Sequence, residues 1–140
     1  MQNSVENLSR GENAHKDQVA IDLTIVIPCL NEENNIEIIL AQMHSVLAGQ
    51  PFEAEIVVID DMSDDRTLAL AKSWAEGPGA NLRVSVVQRQ LDRRGYGAAV
   101  RWGVAHGIGR YCIFVSADGV DPVHLIPEMY AEMEKGAGLV

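Results

Sequence analysis

The chain has few basic residues, few cysteines and no long apolar run. Its 140 residues carry 11 Lys and Arg against 20 Asp and Glu, which gives a net charge of -9. Most of such a surface would repel a phosphate backbone, so we do not expect nucleic acid as a partner. No apolar run approaches the roughly 20 residues of a membrane-spanning helix, so no spanning segment is expected in this sequence.

The two cysteines, Cys29 and Cys112, lie in or beside predicted core strands. A free thiol in such a place behaves as a small hydrophobic side chain. We therefore expect buried, reduced thiols and a cytoplasmic protein. Residues 1–22 are polar and charged and lack the apolar stretch of a signal peptide, so we interpret them as a disordered lead-in. Residues 23–140 are long enough for one domain with its own core.

What the sequence does contain is a series of short apolar runs. The runs at 23–27, 55–59 and 111–115 are too continuous in their apolar character to leave one face in water. A further strand is predicted at 82–87. Parallel strands in one sheet are joined by right-handed crossovers, so these runs predict a layered α/β fold with a mostly parallel, buried sheet.

Helical patterns separate the predicted strands. They cover 33–48, a segment that opens at Asp64 and Asp65, and 98–106. The pair Asp121-Pro122 predicts a fourth helix start, with Asp as the cap and Pro at the first helical position. Pro127 follows within the same segment, which predicts a separate short turn before the helix proper.

Acidic clusters follow three of the strands directly, at 31–33, 60–61 and 116–118. The carboxyl ends of the strands form one edge of an open α/β sheet, and ligands bind there. If the strand order reverses after the third strand, the first and fourth strands become neighbours. The turn at 28–32 would then face Asp118 across a crevice, with Asp61 beside them.

Carboxylates crowded on one edge repel each other, and a divalent cation, a proton or donors from a ligand would relieve the repulsion. For Asp60, capping of the next helix remains an equal alternative. We assign Asp61 to a ligand, as an acceptor for the N–H of a base or the O–H of a ribose. Asp118 is assigned to a metal. The basic loop at 93–97 precedes a helix and would suit phosphate, or it is a solvated edge.

Four segments, 24–32, 55–67, 95–103 and 116–122, occur in the order and at the spacing of the motifs of glycosyltransferase family 2. The chain resembles that family over nearly all of 23–140 and is most similar to the polyprenol-phosphate sugar synthases. The resemblance implies a nucleotide-sugar-binding part of the GT-A type, cut short at its C-terminal end. The acceptor-binding half and the usual catalytic base of the family would lie beyond Val140.

The resemblance also implies a nucleotide-sugar site and a ligand for Mg²⁺ or Mn²⁺ at Asp118. Ser116 stands where the family usually has an Asp, and Val120 stands where the synthases often have a Gln. Leu30 replaces a frequent aromatic residue. Metal affinity, and metal dependence itself, are therefore left open. The residues that the resemblance places around the nucleotide sugar are Pro28, Leu30, Glu32, Ile59, Asp61, Ser116, Ala117 and Asp118.

The function expected from this resemblance is transfer of a sugar, with inversion, from a nucleoside-diphosphate sugar to an acceptor. A polyprenyl phosphate at a membrane surface is one such acceptor, and a longer form would then associate with the membrane. The 140-residue chain alone is expected to be inactive. Two alternatives stay open: a non-catalytic nucleotide-binding fragment, and a phosphoacceptor module suggested by the acidic strand end at 57–61. A dehydrogenase is disfavoured because 28–32 lacks the Gly-rich turn.

Overall fold

A computed structural model describes residues 19–90 and 94–138 of the chain, and within them helices cover both faces of a parallel sheet. The strands are β1 (Leu23–Cys29), β2 (Ala54–Asp60), β3 (Arg83–Gln88) and β4 (Tyr111–Phe114). The helices are α1 (Ile36–Leu47), α2 (Thr67–Glu76), α3 (Tyr96–His106) and α4 (Ile126–Glu134), with a 3₁₀ turn at Val123–Leu125.

The strands pair in the order β3-β2-β1-β4, all parallel. The predicted fold class is confirmed, and so is the reversal that makes the first and fourth strands neighbours. In register, Leu23 of β1 lies between Ala54 of β2 and Tyr111 of β4. The sheet therefore brings the chain segments after β1, β2 and β4 to one edge.

Two apolar layers enclose the sheet. The larger layer packs α1, α2 and α4 against one face, and the smaller one packs α3 against the other. Alternation along β1 divides its side chains between them, so Ile25 and Ile27 enter the larger layer while Val26 enters the smaller one. Trp74 is buried in the larger layer, as its helical spacing predicted.

Burial differs between the central and outer strands. Every residue of β1 is buried, and β2 is buried from Glu55 onward. The strand predicted at 111–115 is parallel, but the expectation that it is buried on both faces is wrong. It borders the sheet within the described residues, and Phe114 is 43% exposed. A continuous apolar run does not distinguish a central strand from an outer one.

Several helix boundaries differ from the sequence pattern. α1 begins three residues later than predicted because a turn comes first, in which the N–H groups of Asn35 and Ile36 donate to the carbonyl of Glu32. The cap predicted at Asp121 is wrong, since its Oδ2 instead accepts the N–H of Ser116 at 2.6 Å. The short turn predicted before Pro127 is confirmed by the 3₁₀ turn at Val123–Leu125.

A buried polar network ties the amino end of the sheet together. The Thr24 hydroxyl donates to Oε1 of Glu55 at 2.6 Å, and the N–H of Ile108 donates to the same oxygen at 2.6 Å. The N–H of Gly109 donates in turn to the Thr24 hydroxyl at 2.9 Å. Both acceptors of this network, Oε1 of Glu55 and the Thr24 hydroxyl, are thus hydrogen-bonded. These bonds fix the loop between α3 and β4 against the sheet.

Residues 1–18 of the predicted lead-in lie outside the described residues, but its last part belongs to the packed structure. Ile21 is buried, and Oδ2 of Asp22 accepts the N–H of Glu53 at 2.9 Å. The packed domain thus includes residues before Leu23. Among the described helices, none has the length and apolar character needed to cross a membrane.

Candidate functional site

A pocket of about 330 Å³ lies at the carboxyl edge of the sheet, where the segments after β1, β2 and β4 meet the start of α3. Small-molecule sites start at roughly 300 Å³, so its size is sufficient for a ligand. Six of the residues predicted for a nucleotide-sugar site line it: Pro28, Leu30, Glu32, Asp61, Ser116 and Ala117. The strand order thus brings residues from three separate segments into one place.

Two larger cavities lie elsewhere. One of about 620 Å³ is at the opposite edge of the sheet, around Gly49 and Phe52. The other, of about 660 Å³, is an open groove between α1 and the loop at 119–124. We assign the site to the smaller pocket because the ends of parallel strands converge there and bring charged side chains together.

Ile59 and Asp118, although predicted for the site, do not line this pocket. Ile59 is fully buried and packs with Val26 and Ala99 between the sheet and α3, so it supports the pocket from the core. Asp118 is exposed in the loop after β4, where its Oδ1 accepts the N–H of Val120 at 3.1 Å. Hydrogen bonds from that N–H and from the Ser116 hydroxyl lower the pKa of Asp118, which keeps it ionised at neutral pH.

Asp61 is the buried carboxylate of the pocket. It is 3% exposed, its Oδ2 accepts the N–H of Gly95 at 2.7 Å, and its Oδ1 lies 2.9 Å from Nε of Arg89. Its own backbone N–H donates to the carbonyl of Cys29 at 2.8 Å. A carboxylate offers about four lone-pair positions, so these contacts leave capacity for a ligand donor.

Asp60 has a different role from its neighbour because successive residues of a strand face opposite sides. Its Oδ2 accepts the N–H of Ser63 at 3.2 Å and the side-chain amide of Gln88 at 3.1 Å. Asp60 therefore closes the turn after β2. The carboxylate that meets the start of α2 is instead Asp65, whose Oδ1 accepts the N–H of Thr67, the first residue of that helix, at 2.9 Å.

The loops after β1 and β2 are joined by hydrogen bonds in both directions. The N–H of Asn31 donates to the Ser63 hydroxyl at 2.9 Å, and Oδ1 of Asn31 accepts the N–H of Asp64 at 2.8 Å. Next along the chain, the N–H of Glu32 donates to the Thr67 hydroxyl at 2.8 Å. These contacts hold Asn31 in a left-handed conformation, with φ of 55°, between the pocket residues Leu30 and Glu32.

Protein donors relieve much of the charge crowding predicted for the acidic clusters. Oε2 of Glu33 accepts both the backbone N–H and Nε of Arg66, at 3.2 and 3.1 Å. Burial would raise the pKa of Asp65, but hydrogen bonds from Thr67 and from the N–H of Glu33 lower it overall. The sequence suggested that a cation, a proton or a ligand would relieve the repulsion between these carboxylates. It did not suggest backbone N–H groups or an arginine of the protein itself.

Cys29 contributes a thiol to the pocket wall. Burial, and after it the negative charges of Asp60, Glu32, Asp65 and Asp61, raise the pKa of this thiol to about 12. A thiol that stays protonated is a poor nucleophile and a poor metal ligand. Both cysteines are free, and Cys29 is buried, whereas Cys112 is only half-buried, contrary to the expectation that both are buried. Cys29 therefore acts as an apolar wall residue.

Sequence reasoning missed several residues of the pocket or treated them only as a loop. Arg94, Gly95, Tyr96 and Ala99 line it from the start of α3. Nη2 of Arg94 donates to the carbonyl of Met62 at 2.5 Å and to Oδ2 of Asp64 at 3.0 Å. The sequence feature that could have identified these pocket residues is a basic, Gly-containing loop directly before a helix. The interior partner Arg89 had a signal too, as a charged residue directly after a strand.

The described residues contain no group of three or more His, Cys, Asp or Glu side chains that could hold a metal ion by themselves. The loop after β4 does supply one ionised carboxylate, Asp118, beside the Ser116 hydroxyl. Mg²⁺-type sites commonly combine one or two carboxylates with the phosphates of the substrate. The residues present fit a cation that arrives with a diphosphate rather than one held by the protein alone.

The fold and the pocket define an α/β domain with a pocket of ligand size at the carboxyl edge of its sheet. The family model described as Glycosyl transferase family 2 matches residues 24–140, and the chain belongs to that family. A relative from Drosophila melanogaster, dolichyl-phosphate beta-glucosyltransferase, is 33% identical over 109 residues, which are 74% of this chain and 33% of that protein. Dodecaprenyl-phosphate galacturonate synthase of Rhizobium johnstonii is 30% identical over 136 residues, 96% of this chain and 38% of that protein.

Solved structures are similar over the same region. A mannosyltransferase from Pyrobaculum calidifontis, in complex with GDP-Man and Mn²⁺, matches with a TM-score of 0.63 and 27% identity. That match covers 77% of this chain and 32% of the other. Glucosyl-3-phosphoglycerate synthase from Mycobacterium tuberculosis, with Mn²⁺ and UDP-glucose, matches with a TM-score of 0.64 and 26% identity over 84% of this chain and 41% of the other. The chain thus spans about a third of these relatives.

Proposed function

We propose that this chain is the nucleotide-sugar-binding part of an inverting glycosyltransferase. The observation that carries the proposal is the pocket at the carboxyl edge, with the buried Asp61 carboxylate on its wall. Family membership and the nucleotide sugars bound in the similar solved structures support it. Family membership also argues against the phosphoacceptor alternative.

In this proposal the pocket holds the nucleoside. Asp61 accepts a hydrogen bond from an N–H of the base or an O–H of the ribose, which a ligand supplies in place of water. Leu30 and Tyr96 are exposed at the pocket and offer apolar surface to a ring. Burial of a polar acceptor without a partner is costly, so a ligand that completes the hydrogen bonding of Asp61 is favoured over one that does not.

The transfer step forms a bond from an acceptor oxygen to the anomeric carbon and breaks the bond from that carbon to the diphosphate. Attack from the face opposite the leaving group gives inversion. Negative charge develops on the departing diphosphate, and a divalent cation at Asp118 supplies charge neutralisation when bound. Arg94 lies at the pocket with an exposed guanidinium that is paired with Asp64. The guanidinium can contact the oxygens of the departing diphosphate by giving up that ion pair for one with phosphate.

We propose a polyprenyl phosphate as the acceptor, supported by the names of the relatives from Drosophila melanogaster and Rhizobium johnstonii. We also place the domain in the cytoplasm, as the reduced state of Cys29 and Cys112 suggests. A lipid phosphate must reach the pocket from a membrane surface, which this negatively charged chain would approach through some other segment or partner.

The test is titration calorimetry of the 140-residue chain with UDP, GDP and ADP, each with and without MnCl₂. We expect one of the uridine or guanosine nucleotides to bind, more tightly with Mn²⁺. Asp61→Asn should weaken that binding about 10-fold or more, since a hydrogen bond to a charged acceptor is lost. Glu76→Gln, at the exposed end of α2, is the matched control. Absence of binding to all three nucleotides would overturn the proposal.

A further inference from the structure

Arg89 is a fully buried cation directly behind the pocket. It is 1% exposed, it follows β3, and its Nε lies 2.9 Å from Oδ1 of Asp61. Arg89 does not line the pocket. The strand register explains why Arg89 and Asp61 meet. Asp60 and Gln88 are paired at the ends of β2 and β3, and Asp61 and Arg89 are the residues that follow them.

Asp61 links this buried cation to the other side of the pocket. One carboxylate oxygen faces Arg89, and the other accepts the N–H of Gly95 at the start of α3. Arg89 is also anchored through its own backbone N–H, which donates to the carbonyl of Asp60 at 2.9 Å. The end of β3, the end of β2 and the start of α3 are therefore joined through a single carboxylate.

A buried ion pair is a weak source of stability, because desolvation of both charges offsets their attraction. The Arg89–Asp61 ion pair instead affects the charge and the orientation of the carboxylate in the pocket. Without a cation behind it, Asp61 would be a buried negative charge facing a ligand that itself carries a diphosphate. With Arg89 in place, the carboxylate is charge-balanced and held at a fixed orientation.

We propose that Arg89 is a positioning residue for nucleotide binding, acting through Asp61 rather than by touching the ligand. The guanidinium keeps the carboxylate directed toward the Gly95 N–H and the pocket. This inference rests on the proposed function for its ligand, but the link between Arg89 and Gly95 is a property of the protein alone.

The first experiment is a double-mutant cycle on nucleotide affinity, measured by calorimetry on the full chain with UDP and GDP. Arg89→Met should weaken binding about 10- to 100-fold, the cost of losing the ligand's hydrogen bond to the Asp61 carboxylate that Arg89 positions. Combined with Asp61→Asn, it should weaken binding no further than Asp61→Asn alone. Losses that multiply in the double variant would mean that Arg89 acts independently of Asp61, and the proposal would fail.

Two further variants separate charge from packing. Arg89→Lys fills similar space and keeps the charge, so it should recover most of the affinity that Arg89→Met loses. Equal losses in both would show that a positive charge at this place does not restore affinity, and would overturn the proposal. Arg83→Met, at the opposite end of β3 and exposed, is the matched control and should bind as the wild type does.

The second experiment needs no nucleotide. Amide hydrogen exchange at Gly95 reports whether Asp61 still accepts its N–H, and Arg89→Met should accelerate that exchange about 10-fold or more. If the wild type binds no nucleotide, the proposed function fails, yet Gly95 exchange still tests the positioning. Unchanged exchange at Gly95 in a folded Arg89→Met protein would overturn the role of Arg89 even if the wild type binds nucleotide normally.

Discussion

At the scale of single residues, the pocket depends on acidic side chains whose neighbours differ sharply. Asp60 and Asp61 are adjacent in sequence, yet Asp60 closes a turn and Asp61 faces the pocket. Alternation along a strand explains this difference without any difference in residue type. The role of each acidic residue at the end of a strand must therefore be predicted separately, from its own evidence.

The Cys29 thiol gives a pH-dependent prediction. Its pKa is about 12 in the folded chain and about 9 in a free thiol, so between these values the unfolded chain has lost a proton that the folded chain keeps. The free energy of unfolding should consequently fall as pH rises above 9, by at most about 1.4 kcal/mol per pH unit. Below pH 9 the thiol is protonated in both states and the contribution is constant.

Urea unfolding from pH 8 to pH 10.5 measures this effect. Other groups also titrate in that range, so the informative quantity is the difference in slope between wild type and Cys29→Ala. Cys112→Ala is the matched control, since burial raises the pKa of that thiol as well but the residue is only half-buried. A slope that is the same in wild type and Cys29→Ala would show that the buried thiol ionises without cost.

At the scale of elements, the close approach of α3 to β1 fixes the back of the pocket. Gly103 of α3 faces Val26, and a Cβ atom at Gly103 would collide with the Cγ1 methyl of that valine. α3 also carries Ala99, and Gly95 directly precedes the helix; both residues line the pocket. The absence of a side chain at Gly103 therefore sets how near the start of α3 comes to the ends of the strands.

Gly103→Ala should lower the free energy of unfolding by about 1 to 3 kcal/mol, the usual effect of overpacking a filled core. Gly97→Ala in the same helix is the matched control, because its Cβ would meet only Nη1 of Arg101 at an ordinary 3.7 Å. That change should be neutral or stabilise by up to about 1 kcal/mol through helix propensity. Chemical denaturation of both variants measures the difference, and equal stabilities would contradict a tight contact.

The elements also show which features the sequence could predict. The sequence pattern predicted the four strands of the described residues within a residue or two, because strands buried in a sheet are rich in apolar residues. Helix starts were less accurate, since residues such as Asp64 and Glu33 form loop-to-loop hydrogen bonds that depend on the register of β1 against β2. Arg89 was missed because its partner, Asp61, is brought near it only by strand pairing.

At the scale of the whole molecule, the chain contains a pocket of ligand size but spans about a third of the length of its relatives. The segments 24–140 that match the family model supply Asp61 and Asp118. Transfer needs the acceptor oxygen held about 3 to 3.5 Å from the anomeric carbon, and a hydroxyl acceptor, unlike an ionised phosphate, also needs a general base within reach of its proton. In the described part of the chain the acids of the pocket are Glu32 and Asp61, and both already accept hydrogen bonds, from Asn35 and from Gly95.

We therefore expect the 140-residue chain to bind a nucleotide without transferring sugar. The measurement is a transfer assay with radiolabelled UDP- and GDP-sugars, a polyprenyl phosphate in detergent, and MnCl₂. A polyprenyl-phosphate glycosyltransferase of known activity, assayed in parallel, shows that the conditions support transfer. Turnover by the 140-residue chain, lost in Asp61→Asn, would show that the catalytic group lies within it.

The order β3-β2-β1-β4 also governs how the chain must assemble as it is synthesised. Among the described strands β1 is made first and its partner β4 is made last, and Thr24 meets Gly109 across 85 residues of sequence. Such long-range closure is slow, and synthesis at about 5–20 residues per second separates β2 from β4 by several seconds. During that interval β1 has one open edge. The speed of translation between the two strands thus sets how long the nascent chain is exposed to wrong strand pairing.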